Sequence, residues 1–397
     1  MNNEDRISNE QCTMNNVQWK KVKLGEVILD SYAGGTPNRS RDDFFGGEIP
    51  WITSGEVNNP VINSTIENIT LAGFNNSSTR WIPNNSILVA LYGATAGQVS
   101  MLKINATSNQ AVLAVIPNKE KVDTDYLFYQ INFNKENLLF LAQGSGQPNL
   151  SKNIVDRLEI SIPSLPVQRR IAAILSSADK VIDSTQKVID KLKQIKQGMM
   201  DDLLKPKDGW NKVKLGECCE SELGKTLDEG RNIGLYRPYL CALNVLWGKI
   251  DLSTIKQMRI DNSELERYLV KKGDLLVCEG GEIGRCAIWE YDDVIYYQNA
   301  LHRVRFYEDY DARFFMYLLC YYNDLKLIEQ YGKGLTIKHL NQTAFRNIPV
   351  SIPDLAEQRR IAQILSGIDS KIAAEEKVLE KYKAVKKGLM EKLLNGN

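Results

Sequence analysis

The chain is written twice, and no other feature constrains its folding as strongly. Residues 19–26, WKKVKLGE, return as residues 210–217, WNKVKLGE. A longer stretch, residues 162–176 (IPSLPVQRRIAAILS), returns as residues 352–366 (IPDLAEQRRIAQILS). Both matches keep the same order and an offset of about 190 positions, so the molecule is two copies of one plan. Each copy is a globular part followed by a segment with a helical apolar period. The expected boundaries are an N-terminal extension over 1–18, a first domain over 19–165, a long helix over 166–206, a second domain over 207–355 and a second long helix over 356–397.

In the first long segment Ile171, Ile174, Ala178, Val181, Val188, Leu192, Ile195 and Met199 recur at spacings of three, four and seven. The second keeps the phase with Ile361, Ile364, Ile368, Ile372, Val378, Tyr382, Val385, Leu389 and Leu393. Pro163 and Pro166, with Pro353 in the second copy, mark the entries, and Pro206 and Gly209 end the first helix. Such a helix is about 57 Å long, and one apolar stripe of that length needs a partner. The stripe of the other copy is the natural one. Antiparallel pairing would then make a coiled-coil spacer with the globular parts at opposite ends of a rod; packing of each helix on its own domain is the alternative. Gly198 and Gly388 hold the same place in both helices, where glycine costs about 1 kcal/mol. Close crossing of the helices or a local bend would explain them.

The globular parts read as short strands and turns. Residues 86–89, 98–102, 111–116, 274–278 and 302–306 are strand runs, while 125–131 and 314–319 are packed helices, which makes the class α+β with two similar domains. Between the matching edges the copies differ: residues 49–57 are IPWITSGEV, residues 236–245 YRPYLCALNV. A similar frame with different content suits two readers of different targets.

Composition excludes other classes. The 397 residues are 43% hydrophobic and 25% charged, which supports sizeable cores and rules out a largely disordered or fibrous chain. There is no apolar run of eighteen residues, and the start MNNEDRISNEQCTMNN resembles no secretory signal, so a cytoplasmic protein with no membrane partner is expected. Seven irregularly spaced cysteines read as buried thiols in a reducing compartment. With 50 basic and 49 acidic side chains, net charge +1, any nucleic-acid binding must come from local arrangement.

Catalytic motifs are missing. Gly224-Lys225-Thr226 is not the end of a phosphate-binding loop, because Cys219 stands where the cradle's glycine is needed. Residues 144–148 form a turn and not a dinucleotide loop, since Pro148 stands where the helix would continue. No Asn/Asp-Pro-Pro-aromatic motif is present to hold a base amine for methylation. Six cysteines, His302 and His339 lie in the second half, but without paired CxxC spacing or a counterpart in the first half they do not make a zinc site. The first half has no histidine, and no serine–histidine–acid or carboxylate-pair set can be assembled. No metal and no catalytic residue is expected.

What remains is a set of polar, glycine-bearing segments at comparable places. Residues 32–41 fall opposite 222–227, residues 91–98 opposite 279–285, residues 109–111 opposite 298–300, and residues 146–152 near 334–340. Small residues let backbone approach a ligand, and amide, guanidinium and hydroxyl groups then read base edges. Turn and bulge chemistry explains the glycines equally well at any one place; repetition gives weight to the group.

Taken together, the two PxxPVQRRI-like stretches (residues 163–171 and 353–361), the WxxVxLGE openings and Gly34-Gly35-Thr36-Pro37 closely resemble the specificity subunits of Type I restriction-modification systems. The resemblance runs from Trp19 nearly to the end. It implies two target recognition domains, each reading half of a bipartite double-stranded DNA site, and an antiparallel helical rod that sets the gap and docks two modification subunits. Those partners would bind S-adenosylmethionine and methylate adenine. A restriction translocase-nuclease subunit using ATP and Mg would complete the system, while this chain would carry no cofactor and no catalysis. The second copy departs from the pattern at Leu223-Gly224-Lys225-Thr226 and at Glu357 in place of Val167.

Polarity and loop position nominate DNA-facing residues. In the first domain they are Thr36, Asn38, Arg39, Arg41, Thr53, Ser54, Thr95, Gln98 and Gln147; in the second Lys225, Arg231, Arg237, Asn244, Arg285, Lys333 and Lys338. Arg169, Arg170, Arg359 and Arg360 are assigned to helix anchoring or a protein partner, with some acidic contact offsetting them at the helix start. Two other readings stay open: a specificity module of a DNA methylation or defence complex lacking the translocating nuclease, and a non-DNA scaffold.

Overall fold

The computed structural model describes residues 18–142, 149–228, 230–332, 334 and 338–395. It divides into two compact units: unit 1 holds the chain up to Thr185 and from Val378 onward, and unit 2 is Gln186–Lys377. The strands of unit 1 are β1 (Lys20–Lys23), β2 (Ile28–Ala33), β3 (Phe45–Ile52), β4 (Val61–Ile62), β5 (Glu67–Ile69), β6 (Ile87–Ala90), β7 (Val99–Leu102), β8 (Thr107–Ser108), β9 (Val112–Pro117) and β10 (Glu159–Ile162). Helices α1 (Leu71–Asn75), α2 (Thr124–Phe133), α3 (Lys135–Leu141) and α4 (Lys152–Asp156) precede the 40-residue α5 (Leu165–Leu204). Unit 2 repeats the plan with β11 (Asn211–Lys214), β12 (Cys219–Leu223), β13 (Leu235–Leu240), β14 (Val245–Leu246), β15 (Lys249–Ile250) and β16 (Lys256–Ile260). Strands β17 (Leu269–Val270), β18 (Leu275–Cys278), β19 (Cys286–Ile288), β20 (Ile295–Tyr297), β21 (Leu301–Phe306) and β22 (Pro349–Ile352) follow. Its helices are α6 (Leu215–Cys218), α7 (Leu265–Tyr268), α8 (Ala312–Asp324), α9 (Gln342–Arg346) and the start of the 40-residue α10 (Leu355–Leu394).

The two repeated sequence motifs are partners in space. β1 pairs antiparallel with β10, Lys20 opposite Ile162, and β11 pairs with β22, Asn211 opposite Ile352. Leu24 N donates to Leu158 O and Leu215 N to Ile348 O, both at 2.9 Å. The sequence repeat therefore marks a clamp that closes each domain just before its long helix begins.

The glutamine of each QRRI motif belongs to the same clamp. Gln168, 1% exposed, accepts from Asp123 N at 2.8 Å and donates to Pro163 O at 2.9 Å; Gln358, also 1% exposed, accepts from Asp311 N at 3.0 Å and donates to Pro353 O at 2.9 Å. Asp123 and Asp311 in turn cap α2 and α8. One buried amide thus ties the start of a long helix to the start of a domain helix, twice. The arginines that follow lie on the surface, and Arg360 pairs with Glu357 at 2.6 Å.

Each domain has two sheets beside the clamp. In unit 1 the order is β2-β9-β6-β7-β4 with a smaller sheet β5-β3-β8; in unit 2 it is β12-β21-β18-β19 with β16-β13-β20-β17 and the hairpin β14-β15. The main sheet alternates sides. Ile87, Val89, Leu113 and Val115 face α2 and the long helices, while Leu88, Ala90, Val112 and Ala114 enter a second core with Ile52 and Ile82. Burial of both faces explains why these strands read as unbroken apolar runs.

The long helices pack on domains at both ends. Ile171, Ala172 and Leu175 of α5 join the core of unit 1 with Leu393 and Leu394 of α10. Ile361, Ala362 and Leu365 of α10 join the core of unit 2 with Met200 and Leu204 of α5. Between these anchors each unit pairs its two helix segments antiparallel: Lys386 binds Asp179 at 2.5 Å in unit 1, and Lys196 binds Asp369 at 2.6 Å in unit 2.

The inward row of α5 is Ile171, Leu175, Ala178, Ile182, Thr185, Ile189, Leu192, Lys196 and Met199, in alternating steps of four and three. On α10 it includes Ile361, Leu365, Ile368, Ile372, Leu379, Lys386, Leu389 and Leu393. Ile174, Ile364 and Val378 are half-buried beside it. The stripe expected from apolarity needs correction in the middle: Val181, Val188 and Ile195 are 42%, 47% and 43% exposed, and Tyr382 and Val385 are 40% and 57% exposed. These residues belong to a neighbouring, more apolar row, while the inward row passes through Thr185 and Lys196. Close crossing at Gly198 and Gly388 is also excluded, since an added Cβ at either meets nothing within 4 Å. No helix among the described residues is long and apolar enough to cross a membrane.

Candidate nucleic-acid interface

As far as their residues are described, the four polar segments marked by the repeat are joined in each unit by the same backbone hydrogen bonds. Gly34 N donates to Val112 O at 3.3 Å and Gly224 N to Leu301 O at 3.1 Å. Gly35 N donates to Ser108 O at 2.8 Å and Lys225 N to Tyr297 O at 3.0 Å. Asn109 N reaches Ile52 O at 2.9 Å and Gln298 N reaches Leu240 O at 3.0 Å. Leu91 N donates to Ala111 O and Leu150 N to Leu91 O; in unit 2 Glu279 N donates to Ala300 O and Leu340 N to Glu279 O. Residues 108–112 and 297–301 therefore receive the first two segments, and the fourth closes on Leu91 or Glu279 of the second.

Glycine is required where these backbones meet. A Cβ on Gly34 would lie 2.0 Å from Ser108 O, and one on Gly224 2.4 Å from Gln298 O. The loops are thereby drawn flat against the strand ends. Thr36 donates its hydroxyl to the Gln110 side-chain carbonyl, and Asn299 Nδ2 approaches Thr226 Oγ1 at 3.5 Å, the same pairing in the other copy. Gln110, Thr226 and Asn299 were not nominated from sequence, although the repeated segments containing them gave the signal.

The first-domain nominees fall into two groups. Around the small sheet, Arg39 makes a bidentate pair with Glu67 at 2.5 and 2.9 Å, and its guanidinium lies 4.5 Å from the Phe45 ring centroid and 4.9 Å from Trp51. Arg41 pairs with Asp43, whose carboxyl it holds below the usual carboxylate range, and Asn38 closes its own turn on Ser40. Thr53 donates its amide and hydroxyl to the buried carboxylate of Glu56; Ser54 beside it is half-buried. Thr95 and Gln98 sit in the turn between β6 and β7, closer to α3, where Gly97 packs on Leu139. Gln147 lies outside the described residues.

In the second domain the structure corrects two nominations. Asn244 is 1% exposed; it accepts from Cys241 N and donates to Asp251 O and Thr254 O, so its amide is committed to the fold. Lys225 is 6% exposed and paired with Glu264 at 2.6 Å beneath Tyr268. Polarity in a loop misled here because both side chains turn inward to satisfy buried partners. Arg285 is mostly buried, donating to Ala242 O and Glu282, and Arg237 lies on the inward side of β13, opposite Met258. Arg231 is exposed beside Asp228, and Lys338 reaches Glu329. Lys333 lies outside the described residues. The outward side of the β13–β16 pair instead carries Tyr236 with the Arg259 guanidinium 5.0 Å from its ring.

The surface offers hydroxyl, amide and ring-supported guanidinium groups, which suit base-edge and phosphate contacts. A cavity of about 610 Å³ in unit 2 is lined by Arg267, Arg303, Arg305 and Arg346, but these donate to Glu222, Asp274 and backbone carbonyls. Among the described residues no group of three His, Cys, Asp or Glu side chains is placed to hold a metal ion. Cys218, Cys219, Cys241, Cys278 and Cys286 are buried free thiols; burial pushes Cys218 up to about 11 and Cys219 up to about 12.

Known proteins share this double plan. The chain is 26% identical to the Type I restriction enzyme MjaVIII specificity subunit of Methanocaldococcus jannaschii, over 95% of this chain and 92% of that one. It is 29% identical to the EcoR124I/EcoR124II specificity subunit of Escherichia coli over 46% of this chain and 45% of that one. The crystal structure of a Type I restriction-modification S subunit from M. genitalium has the same fold, with a TM-score of 0.61 at 16% identity, covering 96% of this chain and 97% of that one. The family model of the Type I restriction modification DNA specificity domain matches residues 16–194 and again 207–384. With two such domains filling most of its length, the chain belongs to the Type I restriction-modification DNA specificity family.

Proposed function

We propose that this chain is the non-catalytic subunit that reads a bipartite double-stranded DNA site, one half with each domain, and positions two adenine methyltransferase subunits on it. A restriction translocase-nuclease subunit joins the same assembly. The observation that carries this reading is the repeated loop framework of the two units, with identical backbone bonds and different outward side chains: Arg39 on Phe45 and Trp51 in one, Arg259 on Tyr236 in the other. The framework is common and the read sequences differ.

The helices support the partner assignment. Val188 and Ile195 in unit 2, and Tyr382 and Val385 in unit 1, are large exposed apolar side chains at equivalent places in the two copies or beside them. Covering each set with one modification subunit removes that surface from water and accounts for two subunits. The exposed Arg169 and Arg359 at the helix starts extend the same docking surfaces.

The test is a modification-sensitive methylome of the source cell with the gene intact and deleted. Loss of one split, adenine-methylated motif on deletion is the expected result. An unchanged methylome while the chain and its neighbours are expressed would refute the reading.

A further inference from the structure

Each unit contains a three-residue contact that the sequence repeat does not advertise. In unit 1, Tyr129 of α2 donates its hydroxyl to Asp179 of α5 at 2.7 Å, and Lys386 of α10 binds the other oxygen at 2.5 Å. In unit 2, Tyr317 of α8 donates to Asp369 of α10 at 2.7 Å, and Lys196 of α5 binds the other oxygen at 2.6 Å. Each lysine also lies over its tyrosine ring, 5.6 and 5.4 Å from the centroid. The arrangement joins three elements at one carboxylate: the domain, the long helix that leaves it, and the antiparallel helix beside it.

We infer that these two triads are register locks, which hold each reading domain to one position along the helices and thereby determine the gap length the protein accepts. The inference rests on the reading above, in which the helices set the spacing of two half-sites. Asp179 and Lys196 are as far apart on α5 as Asp369 and Lys386 are on α10, so both locks specify the same antiparallel register. An apolar row repeating every seven residues does not by itself forbid a slip of one repeat; polar pairs do. Slid either way, Asp179 would face Leu379 or Leu393, and Asp369 would face Ile189 or Leu203, leaving a carboxylate against apolar groups. The exposed pair Lys193–Glu376, at 2.8 Å, lacks this standing, since Lys383 and Gln186 occupy its equivalent places and, among the described residues, no domain side chain bonds to it.

The locks are positioning residues, and their test reads spacing as well as stability. The full chain assembled with its modification subunits is presented with a plasmid library carrying the two native half-sites at the native gap and at gaps one and two base pairs longer or shorter. Asp179→Lys or Lys386→Glu alone is expected to lower the ratio of methylation at the native gap to that at adjacent gaps by about fivefold or more, with the double swap restoring it. Tyr129→Phe with Tyr317→Phe removes only two hydroxyls, keeps the fold, and is expected to broaden the gap preference in the same direction. Gap ratios unchanged in all these variants, with only the melting temperature lowered, would overturn the locks alone. A wild-type complex indifferent to the gap would overturn the spacing reading and the locks with it.

Discussion

Asn244 donates to the carbonyls of Asp251 and Thr254 and accepts from Cys241 N, which uses its hydrogen-bonding capacity inside unit 2. Asn244→Ala is expected to cost about 2 kcal/mol, read as a lower melting temperature, without changing the base preference of either half-site. Arg39 gives the opposite expectation. Its guanidinium is held on two aromatic faces at the surface, so Arg39→Ala should relax one base position by about 1 to 3 kcal/mol in competition binding by the assembled complex and leave the melting temperature nearly unchanged. His302 titrates against the fold. It is buried, stacked on Phe345 and bonded through Nε2 to Leu340 O, and burial holds it below the ordinary histidine range. The unfolded chain then binds a proton that the folded one refuses, so its contribution is complete above about pH 6.5 and is lost as pH falls below that value. Thermal melts of His302→Asn between pH 7.5 and 5.5 should lack that part of the acid slope.

The long helices separate two kinds of apolar residue that are adjacent in sequence. Ile189 is 1% exposed and Val188 is 47% exposed. Ile189→Ala is expected to cost about 2 to 4 kcal/mol and Val188→Ala less than about 0.5 kcal/mol in the isolated chain, by denaturant unfolding of each. Val188→Asp should instead reduce capture of the modification subunits while leaving the melting temperature of the isolated chain in place. Gly198 and Gly388 have open space around the position of a Cβ, so Gly198→Ala and Gly388→Ala should each stabilise the isolated chain by about 0.5 to 1 kcal/mol. Both expectations follow from packing, which the apolar period alone does not resolve to a single residue.

Across the whole molecule, each unit has its own pair of cores and its own closing clamp, β1 with β10 and β11 with β22. A domain bounded by such a clamp is expected to be exchangeable. Replacing residues 211–352 with the corresponding domain of a relative that reads another site is expected to change one half-site in the methylome and leave the other half-site and the gap intact. Alteration of both half-sites by that exchange would show that the units do not read independently.

The duplication, the α+β class, the two long helices and the family are legible in the order of the residues, because repeated motifs and helical periods are local and survive without contacts. The polar segments that backbone bonds join in each unit are legible there too, since each is marked by its counterpart. Which polar side chains face outward depends on how the chain packs. Lys225 and Asn244 look like Arg39 in a string of letters, but turn inward to buried partners, whereas Gln110 and Asn299 project beside threonines from the other loop. The helix row passing through Thr185 and Lys196, and the Tyr–Asp–Lys contacts, were equally hidden. They depend on residues distant in the chain approaching within hydrogen-bond reach, and that approach is set by the packing of domain on helix.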